Sequence, residues 1–145
     1  MYEWPHDETR PVDHVIGAFY LIRREVFERL GGFDERFFVY LEDLDLSKRI
    51  RDLGGRCMFI ADAHALHVGG GTTESVKATR LFYSLRSRLQ YVSKHHGAIA
   101  VVCVGVATLV LEPVIRLGAG LLGRSWMDVK EVARAYARLY GWIVR

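Results

Sequence analysis

The sequence predicts an α/β fold followed by C-terminal α-helices, at least one of them apolar, and three observations carry that reading. Two short runs rich in β-branched and aromatic residues, Val15 to Ile22 (VIGAFYLI) and Arg56 to Ile60 (RCMFI), have the character of buried strands. Between them lie two segments of helical pattern, each closed by a glycine pair, Gly31-Gly32 and Gly54-Gly55. From Val76 onward the pattern is helical and includes a long uncharged stretch.

Residues 1 to 13 are polar, carry Pro5 and Pro11, and read as an irregular approach segment. After the first strand, Arg23 to Leu30 reads as a short helix, and Phe33 to Tyr40 as an aromatic loop or short helix. The next helix runs from about Leu41 to Leu53, with Leu46, Ile50 and Leu53 on one stripe. Asp62 to Thr73 (DAHALHVGGGTT) is a glycine-rich loop. Val76 to His96 is helical, with Leu81, Leu85, Leu89 and Val92 on one side. A last helix starts at a capping-box-like Ser125 and Asp128, and its expected apolar face is Trp126, Val129, Ala133, Tyr136, Tyr140 and Ile143. The expected organisation is a first part over 1–75 and a helical, membrane-associated extension over 76–145.

Ala98 to Leu111 holds no charge, and Glu112-Pro113 leads into Val114 to Leu122, broken only by Arg116. Ala98 to Leu111 alone falls short of the roughly 20 residues that cross a bilayer. The whole run to Leu122 is long enough, but Glu112 near its centre would cost about 2.5–3.5 kcal/mol on insertion scales. The favoured reading is a helix kinked at Pro113 that lies in, or dips into, one membrane leaflet. The alternative is a buried helix of a soluble bundle.

At 145 residues, half of them apolar, the chain can build one domain with a real core. Its net charge is +3 and its pI near 9.0, yet acids and bases interleave, so charge balance does not indicate a nucleic-acid partner, and groove-reading motifs are absent. A local basic excess (Lys77, Arg80, Arg86, Arg88, Lys94, His95, His96) reads as a solvated helix face or as a surface for anionic lipid. Cys57 and Cys103 lie far apart without CxxC spacing, which suggests neither a disulfide framework nor a zinc site; buried thiols in a reducing compartment are expected. The first residues have neither a basic leader nor an apolar core, so no secretory signal is expected.

Chemistry concentrates at the start of the second helix. Glu42 and Asp43 fall in its first turn, where unsatisfied N–H groups and the positive dipole end favour negative charge. They flank the apolar stripe, one on each side. Capping explains one acid there; two neighbours exceed what a cap needs. A carboxylate at a cleft edge is suited to take a proton from an alcohol. Asp45 points away from the stripe and can pair with Arg49 four residues on. His67, ahead of Gly69-Gly70-Gly71-Thr72-Thr73, is a second candidate, because glycines admit close approach of a ligand and imidazole binds a metal or donates to phosphate. Its spacing from His64 is too weak to define a metal site, and the loop lacks the lysine of a P-loop.

Taken together, GAFYLIRREVFERLGGFDERFFVYLEDLDLSKRIRDLGG and the later ALHVGGGTT resemble the C-terminal half of the catalytic domain of family 2 glycosyltransferases, in particular rhamnosyltransferase-like members. The resemblance runs from about Val12 to Thr73, with a weaker echo in RLFYSLRSRLQYVSKHHG. It implies that 1–75 is part of a GT-A, Rossmann-like α/β sandwich and that the activity is transfer of a sugar from a nucleotide donor to an acceptor hydroxyl with inversion. It makes Asp43 the catalytic base, Glu42 its neighbour at the acceptor site, Asp45 the third acid of the motif, with Arg49 behind it, and His67 a ligand of metal or diphosphate. A divalent metal, Mg²⁺ or Mn²⁺, is implied as cofactor. Phe38 and Tyr40, with Phe37, would stack on a sugar or wall the acceptor cleft, although core packing is the more ordinary role for such rings.

Family members carry a nucleotide-binding portion and a DxD motif before this region, and neither stands here ahead of the first strand. The expectation is therefore a C-terminal part of a longer enzyme, lacking donor binding by itself. Its partners would be a nucleotide-sugar donor, a lipid-linked or polysaccharide acceptor and the cytoplasmic face of the cell membrane, with no nucleic acid. The competing expectation is a non-catalytic membrane-associated interaction module derived from such an enzyme.

Overall fold

The computed structural model describes residues 5–66 and 76–145. They are mostly helical, with one small sheet: β1 (Arg10–Val12), α1 (Arg24–Arg29), α2 (Glu42–Asp52), β2 (Cys57–Phe59), α3 (Lys77–His95), α4 (Ala98–Val106), α5 (Glu112–Leu122) and α6 (Trp126–Ile143). The chain divides into two units, Met1–Phe37 with Leu41–Gly69, and Phe38–Tyr40 with Gly70–Arg145.

In the first unit β1 and β2 pair antiparallel, with Arg10 opposite Phe59, Pro11 opposite Met58 and Val12 opposite Cys57. The Ala61 N–H extends the pairing to Thr9 Oγ1 at 3.1 Å. β2 matches the strand expected at Arg56–Ile60, whereas β1 lies in the segment expected to be irregular. Pro11 is tolerated there because a two-stranded ribbon has only edge strands, where a missing N–H can face outward. Val15–Ile22 does not form the expected strand. It contains a single 3-10 turn, Gly17–Phe19, and leaves Ile16 at 70% and Leu21 at 95% exposure. A strand needs neighbours for its N–H and C=O groups, and among the described residues none runs beside this segment. The Rossmann-like layering implied by the resemblance is accordingly not displayed among the described residues.

Both expected helices of this unit form. α1 ends where Gly31 (φ 72°) and Gly32 (φ 76°) take the left-handed conformation, their amides returning to the carbonyls of Glu28 and Phe27. α2 buries Leu46 and Ile50, while Leu53, expected on the same stripe, is 49% exposed past the helix end. Gly55 is required by space: a Cβ there would meet Ile50 Cγ2 at 2.7 Å and the Ile50 carbonyl oxygen at 2.9 Å.

In the second unit α3 packs on α6 through Ala78, Phe82, Leu85, Ala135, Tyr136 and Leu139, with Leu81, Leu89, Val132 and Trp142 around them. Of the expected α3 stripe Leu85 is buried and Leu81 and Leu89 pack beside it, but burial also falls on Ala78 and Phe82, which that stripe did not include, and Val92 lies outside the cluster. Of the expected α6 face Tyr136 is buried and Val129 half-buried, while Trp126, Ala133, Tyr140 and Ile143 are exposed and the other buried residues are Ala135 and Leu139. α6 is apolar around much of its circumference, so periodicity admits two faces and only the fit against α3 selects one. Ser125 caps α6 as expected, its Oγ accepting the Asp128 N–H at 3.3 Å. Glu131 of α6 in turn accepts the Ala78 N–H at 3.0 Å, capping α3 from another helix.

Ala98–Leu122 is one continuous 25-residue helix, α4 joined to α5 through a π-type turn at Ala107–Leu111. It is long and apolar enough to cross a membrane, with mean hydropathy 2.4 and 11% of its most apolar window buried. Pro113 has no N–H for the carbonyl four residues back, that of Leu109, and the Tyr140 hydroxyl donates to that oxygen at 2.6 Å. Cys57 is buried, but Cys103 lies exposed on this helix, against the expectation of two buried thiols.

Candidate active site

The site candidates of the first unit stand at the N-terminus of α2. Two consecutive non-glycine residues enter it in the left-handed conformation, Tyr40 (φ 68°) and Leu41 (φ 65°). Such residues cost on the order of 1–3 kcal/mol each and persist only where surrounding contacts hold them. Glu42 and Asp43 follow directly, half-buried in the first turn.

The Asp43 carboxylate is held by backbone amides. Oδ2 accepts the Gly17 N–H at 2.7 Å, and Oδ1 accepts the Leu44 N–H at 2.7 Å. Gly17 fits because it lacks a Cβ, which would lie 3.3 Å from Oδ2. Each carboxylate oxygen carries two acceptor directions, so both retain capacity for a further donor. Glu42 Oε2 is buried with no hydrogen-bond partner. An acceptor atom removed from water and left unpaired costs about 1–3 kcal/mol, which a ligand donor would recover.

Behind these acids the helix is locked. Asp45 is fully buried and paired with Arg49 Nε at 2.8 Å, the partner expected from the spacing, although burial rather than solvent surrounds it. Arg49 Nη1 and Nη2 also donate to the carbonyls of Leu30 and Gly32 at 2.9 and 2.8 Å. A single guanidinium thus joins α2 to the C-terminal end of α1, where helix carbonyls need donors. Tyr20 OH meets Ser47 Oγ of α2 at 3.1 Å, and burial raises the Tyr20 hydroxyl above its ordinary range, against the opposing bond from Ser47. Gly17 and Tyr20 are contacts of the site that sequence reasoning did not single out. Their signal was the GAFY stretch itself, read there as a strand rather than as a turn that delivers an amide.

The aromatic candidates separate. Phe37 is buried in the first unit. Phe38 and Tyr40 belong to the second unit, where Phe38 lies 4.8 Å from the Tyr83 ring and Tyr40 OH accepts Arg80 Nε at 3.1 Å. Ser87 Oγ donates to the Val39 carbonyl between them at 2.8 Å. Tyr40 is thus bonded to α3, whereas Phe38 touches Tyr83 on one side and is otherwise 71% exposed. His67 and the glycines after it lie outside the described residues. Among the described residues no group of three or more His, Cys, Asp and Glu side chains could hold a metal ion, so these residues by themselves do not fit a metal centre. Two surface depressions, of about 390 and 280 Å³, are lined only by residues of the second unit, and neither contains Asp43.

Comparison with known proteins finds relatives over part of the chain. An N-acetylglucosaminyl-diphospho-decaprenol L-rhamnosyltransferase of Mycobacterium tuberculosis is 34% identical over 88 residues, covering 61% of this chain and 29% of that protein. Rhamnosyltransferase WbbL of Escherichia coli is 32% identical over 83 residues, 57% of this chain and 31% of its own length. O-antigen biosynthesis protein RfbC of Myxococcus xanthus is 43% identical over 65 residues, 45% of this chain and 5% of that protein. By name, the first two are rhamnosyltransferases and the third is an O-antigen biosynthesis protein. This chain spans about three tenths of the length of the two rhamnosyltransferases. No protein-family model matches the chain, and no solved structure does.

Proposed function

We propose that this chain forms the acceptor side of an inverting glycosyltransferase, moving a rhamnosyl or other hexosyl group from a nucleotide-sugar donor to a hydroxyl of a lipid-linked or cell-surface polysaccharide acceptor. Asp43 takes the proton of the acceptor hydroxyl as its oxygen bonds to the anomeric carbon. The bond from that carbon to the donor diphosphate breaks on the opposite face, and the nucleotide diphosphate leaves with the electron pair. Glu42 accepts a hydrogen bond from the acceptor and so orients it. The observation that carries the reading is the Asp43 carboxylate, gripped by the Gly17 amide at 2.7 Å and set just after two left-handed residues. The names and partial match of the rhamnosyltransferase relatives support the reaction class.

His67 is the residue of this chain proposed to contact a divalent ion, Mg²⁺ or Mn²⁺, or the donor diphosphate; no step above depends on it. The second unit is proposed to rest on the cytoplasmic face of the cell membrane, which the apolar and largely exposed Ala98–Leu122 helix supports.

The test is sugar transfer measured on the full-length protein with and without Asp43→Asn. Loss of turnover with donor binding retained supports the base, and near-normal turnover removes it. The second reading, a membrane-associated module without catalysis, is supported by the apolar and largely exposed Ala98–Leu122 helix. Calorimetry on the full-length protein separates the two: nucleotide-sugar binding there counts against the module, and vesicle binding without donor affinity supports it.

A further inference from the structure

The helix Ala98–Leu122 has the polarity of a surface made for hydrocarbon. Its outward residues include Ile99, Val102, Val106, Val110, Val114 and Ile115, from 49% to 82% exposed. Its one carboxylate is turned toward the protein instead. Glu112 Oε2 accepts Arg88 Nη1 of α3 at 2.5 Å, and Glu112 Oε1 accepts Arg116 Nε at 2.8 Å. In water the opposite arrangement is the stable one, with charge outside and the valines within.

Two guanidiniums on one carboxylate leave one positive charge unbalanced. Arg116 Nη2 also lies 2.7 Å from Glu112 Oε1, and Arg88 Nη1 also donates to Thr108 Oγ1 at 3.4 Å; among the described residues, Arg116 Nη1 and Arg88 Nε and Nη2 have no partner. Both side chains are open to the outside, at 39% and 42% exposure. Arg116 follows the exposed Ile115 at about a quarter turn round the helix, so its remaining donors lie beside that part of the apolar surface. Guanidinium forks match phosphate oxygens, and the glutamate fixes both forks before a ligand arrives.

We propose that the second unit seats its apolar stripe in one leaflet and that Arg88 and Arg116, held by Glu112, bind the phosphate of an anionic phospholipid headgroup. The inference rests on the membrane reading above and is independent of glycosyl transfer. Charge decides the occupant: a second copy of this chain laid on the same stripe would bring the same unbalanced cation to the margin, whereas anionic lipid supplies the missing negative charge.

The experiment is co-sedimentation of the purified chain with phosphatidylcholine vesicles, with and without added phosphatidylglycerol, using the wild type, Arg116→Gln, Arg116→Lys and Val110→Glu. The wild type is expected to prefer the phosphatidylglycerol vesicles, Arg116→Gln to weaken that binding about fivefold, Arg116→Lys to restore only part of it, and Val110→Glu to abolish binding to both vesicles. Circular dichroism confirms folding, and Arg88→Gln repeats the test from α3 if Arg116→Gln loses helicity. Equal binding to both vesicles, or full rescue by lysine, overturns the phosphate site and leaves the membrane reading standing. No binding to any vesicle overturns both. Full competition by soluble glycerol phosphate at constant ionic strength overturns the lipid as the source of the phosphate.

Discussion

The backbone amide of Gly17 donates to Oδ2 of Asp43 at 2.7 Å, across 26 positions of sequence. A residue without a side chain thereby sets the direction of the carboxylate proposed as base. Since an added Cβ would stand 3.3 Å from that oxygen, Gly17→Ala is expected to displace Asp43 without unfolding the unit. In the full-length protein, kcat should fall about tenfold with the donor KM unchanged, because misplaced reacting groups lose rate rather than binding. Asp43→Asn should cost about 10²–10⁴-fold, the span of general base catalysis. A Gly17→Ala enzyme with unchanged kcat would show that the contact does not position the base.

Arg49 is expected to be the most sensitive residue of the first unit. Replacing it by alanine removes an ion-pair partner of the fully buried Asp45 and the donors of two carbonyls. Breaking a buried pair from one side costs about 3–5 kcal/mol. Urea denaturation of Arg49→Ala should show a loss of that order, and Arg49→Lys should recover only part, since an ammonium cannot reach three acceptors in one plane.

Tyr136 predicts an alkaline effect. Burial pushes its hydroxyl up to about 12, and that hydroxyl has no hydrogen-bond partner. An unfolded tyrosine ionises near its ordinary value of about 10. Between about pH 10 and 12 the unfolded chain therefore binds fewer protons than the folded one, and stability falls as pH rises through that window. The full effect is on the order of 2 kcal/mol. Tyr136→Phe should flatten this loss and, by removing a buried unpaired group, leave neutral-pH stability equal or higher. Thermal melts across the window check both.

The Tyr140 hydroxyl substitutes for the N–H that Pro113 lacks. Tyr140→Phe should cost about 1 kcal/mol. The same change should cost less in a Pro113→Ala background, where the helix regains its own donor. A double-mutant cycle by chemical denaturation that found no coupling would refute the relationship.

Much of the helical content was legible in order and type: α1, α2, α3 and α6 stand where periodicity and glycine or serine end signals placed them. The i, i+4 pairing of Asp45 with Arg49 was legible too, because it is local to one helix. Other features depended on a distant segment. VIGAFYLI has strand composition, yet a strand exists only with a neighbour to bond, and the structure makes a turn there instead. The buried side of α6 was chosen by α3. Phe38 and Tyr40 read as cleft wall or core, and their contacts with Tyr83 and Arg80 of α3 come from a segment about forty residues on.

By itself the sequence determined where helices start and stop, that acids crowd the first turn of α2, and that one long helix is apolar, because these depend on residues within a turn or two of each other. Tertiary structure decided which amide grips Asp43, that Arg49 spans two helices, and that Glu112 faces Arg88 while the valines face outward. The physical reason is range: caps and periodicity act over a few residues of chain, whereas the partner of a buried charge or an unpaired carbonyl is supplied by whichever element folding brings alongside it.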